Sequence, residues 1–216
     1  MSQVDRLIEQ MGLIREAALK AGIWDHVFLA FGSCLGAVRE GGFIAHDNDA
    51  DIGILSDKIT KEQEDTFYNG LWDLKLFAKR HKEQRRLDNN RLLWCSLKMS
   101  NDSMKTCHWF MYEWNGLMVH SKGSDWASKI GSKLSPPVTN VDAIGTGIPV
   151  RHFSSLVEIN WYGTQWKIPI EYGSVLDEWY PAWNVPRVGG ASVEDKLMMV
   201  PKWTKPETWY LRNRKQ

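Results

Sequence analysis

The run FGSCLGAVREGGFIAHDNDADIGIL, from Phe31 to Leu55, decides how the rest of the chain is read. It opens with Gly32-Ser33 at the end of an apolar run and closes with aspartates at alternate positions, Asp47, Asp49 and Asp51. In an extended strand, alternate side chains point to the same face. The segment therefore joins a glycine turn to a same-facing row of carboxylates. Such a row repels itself, and a divalent cation relieves the repulsion. Glycine then serine at a strand-to-helix turn presents backbone N–H groups to an anion, and the helix dipole adds to their pull. The pattern predicts one element that holds phosphate beside another that holds the metal bridging it, as in nucleotide phosphoryl transfer.

A calcium loop is the competing reading, because DNDADIG resembles the start of an EF-hand. Counting from Asp47, however, the sixth residue is Ile52 where glycine belongs, and the twelfth is Lys58 where glutamate belongs. The flanking segments also read as strand rather than helix.

Working outward, residues Ser2 to Ala21 carry apolar side chains on one helical face, with Ser2 and Asp5 as a capping box and Gly22 as the stop. Trp24 to Phe31 reads as a strand, Ser33 to Arg39 as a short helix, and Asp49 to Leu55 as a second strand beside the first. Thr60 to Leu74 reads as a helix capped by Thr60. Beyond it lie the basic run Lys79 to Arg86 and a strand from Arg91 to Met99. Hairpins follow around Asn115-Gly116 and Tyr162-Gly163. Gly123 to Arg151 reads as a long surface loop, Tyr172 to Tyr180 as a short helix, and the chain from about Asn184 as a surface-wrapping tail. The fold class expected is α/β (α+β): a small mixed sheet flanked by helices, with added β-hairpins, in a single domain over residues 1–216.

Composition narrows the partners. With 27 basic against 26 acidic residues, net charge gives no electrostatic case for nucleic acid or membrane. Three widely spaced cysteines, Cys34, Cys95 and Cys107, argue against a disulfide framework and for a reducing compartment. No apolar run reaches the ~20 residues of a membrane span, so a cytoplasmic location is expected. Twelve tryptophans suit a Trp-rich core better than a stacking cleft.

The residues Gly32-Ser33, Leu35 to Arg39, Gly41 to Ile44 and Asp47 to Gly53 together resemble the signature of the LicD family of phosphocholine and fukutin-type ribitol-phosphate transferases, within the nucleotidyltransferase-fold superfamily. The segment Ile168 to Trp183, with the run Val175 to Tyr180 inside it, is similar to that family's C-terminal helix, although the glycine of its terminal motif is missing. The resemblance implies a Mg²⁺- or Mn²⁺-dependent transfer of a phospho-alcohol group from a nucleotide diphosphate donor, of the CDP-alcohol type, to a hydroxyl on a glycan. A modified nucleic acid stays open as acceptor. Transfer of a nucleoside monophosphate from a triphosphate, or of a sugar or pentose, stays open as the reaction.

The resemblance also assigns roles. Asp49 and Asp51 become metal carboxylates, and Asp47 a further ligand or the base. Gly32 and Ser33 hold donor phosphate, and Arg39 neutralises the diphosphate. Two departures, Asn48 and Ala50, remove no ligand. A third carboxylate expected on a later strand is missing. By order along the chain His108 falls in its place, with Glu113 and Glu158 as the other candidates. A histidine ligand would suit Mn²⁺ or Zn²⁺ better than Mg²⁺.

Overall fold

The computed structural model describes residues 2–45, 47–73, 79–80, 85–86, 92–98, 105–114, 117–120, 148–180 and 182–185. Helix α1 spans Gln3–Lys20, and its capping box is formed by Ser2 and Asp5. Strand β1 is short, Val27–Leu29, preceded by a 3-10 turn over Trp24–His26. Helix α2 then runs Phe31–Arg39. It starts two residues before the position expected from sequence, so Gly32 and Ser33 lie in its first turn. Strand β2, Asp49–Leu55, lies beside β1 as expected, and the two pair antiparallel. Helix α3, Lys61–Asp73, is capped by Thr60, whose hydroxyl accepts from the Gln63 N–H at 3.1 Å while the Gln63 side chain accepts from the Thr60 N–H at 2.9 Å.

The remaining strands are β3 (Lys79–Arg80), β4 (Arg85–Arg86), β5 (Leu92–Lys98), β6 (Lys105–Trp114), β7 (Leu117–His120), β8 (Ile148–Pro149), β9 (Leu156–Trp161) and β10 (Thr164–Pro169). Helix α4, Tyr172–Trp179, is the last helix among the described residues. The expected long loop is thus shorter at its end: Ile148–Pro149 pairs with β7, and Val150–Phe153 forms a 3-10 turn. The rest of that loop, the turn at Asn115-Gly116 and nearly all of the tail lie outside the described residues.

One sheet holds β1 to β8, with β1, β2, β6, β5 and β3 in that order. A separate hairpin holds β9 and β10. The large sheet is mixed, since β2 runs parallel to β6 while β1 is antiparallel to β2 and β5 to β6. This is the α/β architecture the sequence implied.

The β2–β6 register fixes what each face carries. Asp49, Asp51 and Gly53 stand level with Lys105, Cys107 and Trp109, while Ala50, Ile52 and Ile54 stand level with Thr106, His108 and Phe110. Residues level across parallel strands share a face. The second set is buried under α3, whose Phe67 and Tyr68 rings pack on His108 and, for Tyr68, on Phe110. On the other face α2 and α4 meet β6, where the Phe31 ring lies 5.1 Å from Trp109 and 4.5 Å from Trp179. Trp109, Trp161, Trp166 and Trp179 are all buried, so these tryptophans serve the core. Among the described residues, no helix is long and apolar enough to cross a membrane.

Candidate functional site

The site forms where the first turn of α2 meets the start of β2. The two elements are stitched together by main-chain and hydroxyl bonds. The Ala30 N–H donates to the Asp51 carbonyl at 3.0 Å, and the Asp51 N–H donates to the Ser33 hydroxyl oxygen at 2.9 Å. Ser33 is buried, and this bond fixes Asp51 in place. The helix N-cap is Ala30, which offers no side-chain oxygen to the orphan N–H groups of the first turn. The Gly32 N–H instead meets Asp51 Oδ2 at 3.3 Å, a long bond at an uncapped, electropositive helix end.

Gly32 is required here by close approach. A Cβ on it would stand 2.6 Å from Asp47 Oδ2 and 3.4 Å from Asp51 Oδ2. Two carboxylate oxygens therefore converge on the space that a side chain would fill. Phe31 just before it has φ of 41°, in the left-handed region that costs a bulky residue about 1–3 kcal/mol. The Trp109 and Trp179 rings both pack on the Phe31 ring and hold it there.

The row of carboxylates is crowded. Burial, and then the neighbouring Asp49 and Asp51 carboxylates, push the Asp47 carboxyl up to about 8. The Asp49 N–H reaches back to Asp47 Oδ1 at 3.5 Å, and the Gln3 amide of α1 donates to the Asp47 carbonyl at 3.1 Å. Asp51 is clamped from the neighbouring strand by the Trp109 indole N–H, 2.8 Å from its Oδ1. Asp49 Oδ2 faces the Cys107 thiol at 3.7 Å. From the C-terminal side, Tyr180 brings its phenol into the field of the row. Burial raises its ionisation well above the ordinary value, with Asp51, Asp47, Cys34 and Asp49 adding to the rise.

The structure brings Asp47, Asp49, Asp51, Gly32 and Ser33 together. It does not bring His108 to them. One residue along β6 reverses the face, and His108 points under α3. There it is fully buried, with Nδ1 3.1 Å from the Tyr68 hydroxyl and Nε2 3.1 Å from the Thr106 hydroxyl. Burial lowers its protonation to about 3, so it is a neutral core histidine. Glu113 lies beyond the last β2 pair, exposed, where its N–H bonds to Asp57. Glu158 is exposed on the separate β9–β10 hairpin, across from Lys167. The β6 position beside the aspartates is Cys107.

Arg39 also lies elsewhere. Helix rise places it roughly 10 Å from Gly32 along α2. It pairs with Glu40 at 2.7 Å and donates to the Trp183 carbonyl at 3.0 Å. His46, next to the row in sequence, falls outside the described residues.

Trp109, Cys107 and Tyr180 are the site residues that sequence reading missed. The first two had a signal, since they alternate along β6 as Asp49 and Asp51 do along β2. Tyr180 had only the likeness of its segment to the family's C-terminal helix, which gives it no place, and the packing of α4 on α2 delivers it.

The donor set suits a hard or borderline divalent cation, and the convergence of Asp47 and Asp51 over Gly32 provides the cradle for one. Among the described residues, no three ligating side chains already stand at metal-binding spacing, so a cation would have to draw the carboxylates in.

The sequence matches the family described as LicD/FKTN/FKRP, nucleotidyltransferase domain, over residues 25–150, more than half of the chain. The match includes α2, β2 and β6, the elements that build the site. No curated protein matches the sequence.

Proposed function

The chain belongs to the LicD/FKTN/FKRP nucleotidyltransferase-domain family, and from that premise we propose that it moves a phospho-alcohol group from a nucleotide diphosphate donor of the CDP-alcohol type to a hydroxyl of a glycan acceptor, with Mg²⁺ or Mn²⁺ held by Asp49 and Asp51. Family membership brings phosphotransferase- or nucleotidyltransferase-like chemistry; the donor, metal and acceptor are our reading. One observation carries it: the uncapped first turn of α2 opens onto the aspartate row, with Gly32 N–H 3.3 Å from Asp51 Oδ2. An anion-binding helix end and a cation-binding row thus share one small space, as a metal-bound diphosphate requires.

A bound cation would neutralise charge on the donor diphosphate and polarise its phosphorus. The residues of the chain do the rest. The Gly32 N–H exchanges its long bond for a donor phosphate oxygen. Ser33 and Trp109 keep the Asp51 backbone and carboxylate from turning away. Asp47, beside the two carboxylates that would hold the cation, takes the acceptor hydroxyl proton. The acceptor oxygen bonds to the distal phosphorus, the bridging P–O bond breaks, and the nucleoside monophosphate leaves. Preorganised dipoles of this kind are each worth about 10²–10³-fold in rate.

The test is product analysis. Incubation with CDP-choline or CDP-ribitol and Mg²⁺ or Mn²⁺ is expected to release CMP, and Asp51→Asn is expected to slow that release by about 10²-fold or more. Pyrophosphate from a nucleoside triphosphate, with no CMP from either donor, would transfer the assignment to nucleotidyl transfer.

A further inference from the structure

The end of α4 and the residues after it are pinned along α2 at two points. The Trp179 ring packs on Phe31 at 4.5 Å, and the Trp183 carbonyl accepts from Arg39 Nη1 at 3.0 Å. Tyr180 follows Trp179 directly, in extended backbone with φ of −141°, and its N–H donates to the Leu176 carbonyl at 2.7 Å. It therefore leaves its helix beside the first turn of α2, where Phe31 is joined through the Trp109 ring to Asp51. We propose that Tyr180 is a further catalytic residue, whose phenol donates a hydrogen bond to a non-bridging oxygen of the phosphoryl group in transit. The inference rests on the phosphoryl-transfer reading above and adds to it the group that α4 supplies.

Three features support it. The first is place. The ionisable groups that act on the phenol are those of the site, Asp51 before Asp47, then Cys34 of α2 and Asp49. The second is the supply of donors. A phosphate that enters a row of carboxylates needs hydrogen-bond donors as well as a cation. Trp109 commits its indole N–H to Asp51 Oδ1, and Arg39 is held at the far end of α2 by Glu40 and the Trp183 carbonyl. The Gly32 N–H gives one donor at the helix end, and the phenol gives a second from a separate element. The third is charge. A lysine or arginine among these aspartates would be captured by them in the resting site as a charge-assisted pair. A phenol donates with no charge of its own, and burial and the aspartates keep it protonated.

Tyr68 and Tyr162 provide the internal contrast. The Tyr68 hydroxyl lies 3.1 Å from His108 Nδ1, and the Tyr162 hydroxyl accepts from the Phe43 N–H at 2.8 Å, so each serves the fold. In the transfer step Tyr180 keeps its proton. The acceptor proton passes to Asp47, the acceptor oxygen bonds to phosphorus, and the bridging P–O bond breaks. The phenol meets the charge that spreads over the non-bridging oxygens meanwhile.

The test uses the full chain, Mn²⁺ and CDP-choline. Tyr180→Phe keeps the ring and is expected to lower kcat for CMP release by about 10²-fold, with KM near wild type and amide hydrogen exchange across α4 at the wild-type rate. Sulfur substitution tests the contact itself. CDP-choline with sulfur for one non-bridging oxygen of the choline-bearing phosphorus has two diastereomers, and sulfur accepts a hydrogen bond poorly. The ratio of their rates is expected to change on the order of tenfold between wild type and Tyr180→Phe. Both rates come from one preparation, so the fraction folded cancels. Tyr172→Phe, at the exposed start of α4, is expected to keep the wild-type rates and ratio. An unchanged ratio in Tyr180→Phe, whether kcat falls or not, overturns the phenol contact and leaves the transferase reading standing. Should wild type release pyrophosphate from a nucleoside triphosphate and no CMP from CDP-choline, the donor assignment falls. The same ratio, read from the two α-thio diastereomers of that triphosphate, then decides the phenol contact. Release of neither product overturns both.

Discussion

At the scale of single residues, Gly32 and Asp47 carry the sharpest consequences. A Cβ at Gly32 would press on Asp47 Oδ2 and Asp51 Oδ2 without touching the core. Alanine also suits a helix better than glycine by about 1 kcal/mol. Gly32→Ala is therefore expected to leave thermal stability near wild type while lowering cation affinity and CMP release by tenfold or more, on the order of one displaced ligand. Isothermal titration with Mn²⁺ and a melting curve on the same sample separate the two effects. Asp47 speaks through pH. Its carboxyl ionises near 3.8 in the unfolded chain and at about 8 in the fold. Between those values the folded state binds the extra proton, so stability falls as pH rises. Above pH 6.5, where His108 no longer titrates, the cation-free protein is expected to melt at progressively lower temperature up to about pH 8, and Asp47→Asn to flatten that decline. An equal slope in the variant would show that crowding at Asp47 is not its cause.

At the scale of elements, β6 decides what belongs to the site. Its alternation sends Cys107 and Trp109 to the aspartates and Thr106, His108 and Phe110 under α3. His108 accordingly acts on stability. It is neutral in the fold down to about 3, against 6.5 when unfolded. Because burial keeps the ring neutral, its contribution to stability is fully present above pH 6.5 and is lost as pH falls toward 3, by on the order of a few kcal/mol. His108→Gln, which can still bond both hydroxyls but does not titrate, is expected to flatten the acid limb of a pH–stability profile and to leave Mn²⁺ affinity unchanged. A tenfold loss of Mn²⁺ affinity would return His108 to the metal. This strand also marks the limit of what the sequence reveals. The Gly32-Ser33 turn and the Asp47–Asp51 row are legible because both are local patterns, one from glycine at a strand-to-helix turn and one from period two. The partner strand is identifiable by order along the chain, but its register is not. In a strand a shift of one residue exchanges faces, which is the whole difference between His108 and Cys107. Glu158 misleads for a related reason, because its apolar neighbours Val157 and Ile159 belong to a hairpin that turns the glutamate outward.

At the scale of the molecule, the two ends of the described chain converge on one small site. Gln3 of α1 bonds the Asp47 carbonyl, while Trp179 of α4 packs on Phe31 and delivers Tyr180 to the aspartates. The β9–β10 hairpin holds the far side. Its Tyr162 hydroxyl accepts from the Phe43 N–H at 2.8 Å, and Trp161 packs on the Phe43 ring at 4.5 Å. The loop between α2 and β2 is thus fixed by residues more than a hundred positions later in the chain. In this arrangement Arg39 is a tether. Its guanidinium spans Glu40 and the Trp183 carbonyl, so it straps the segment after α4 along α2. If the tether is what matters, Arg39→Ala frees Tyr172–Trp179 and the residues after it, and Tyr180 loses its place beside Asp51. The expected outcome is faster amide hydrogen exchange across α4, lower kcat, and unchanged Mn²⁺ affinity, because no cation ligand has moved. If Arg39 instead grips the donor diphosphate, as the resemblance to phosphotransferases implied, Arg39→Ala raises KM for the donor and leaves exchange across α4 at the wild-type rate. The geometry favours the first result, since an arginine roughly 10 Å down the helix from Gly32 and already paired twice would have to break both contacts to reach a phosphate held at the first turn.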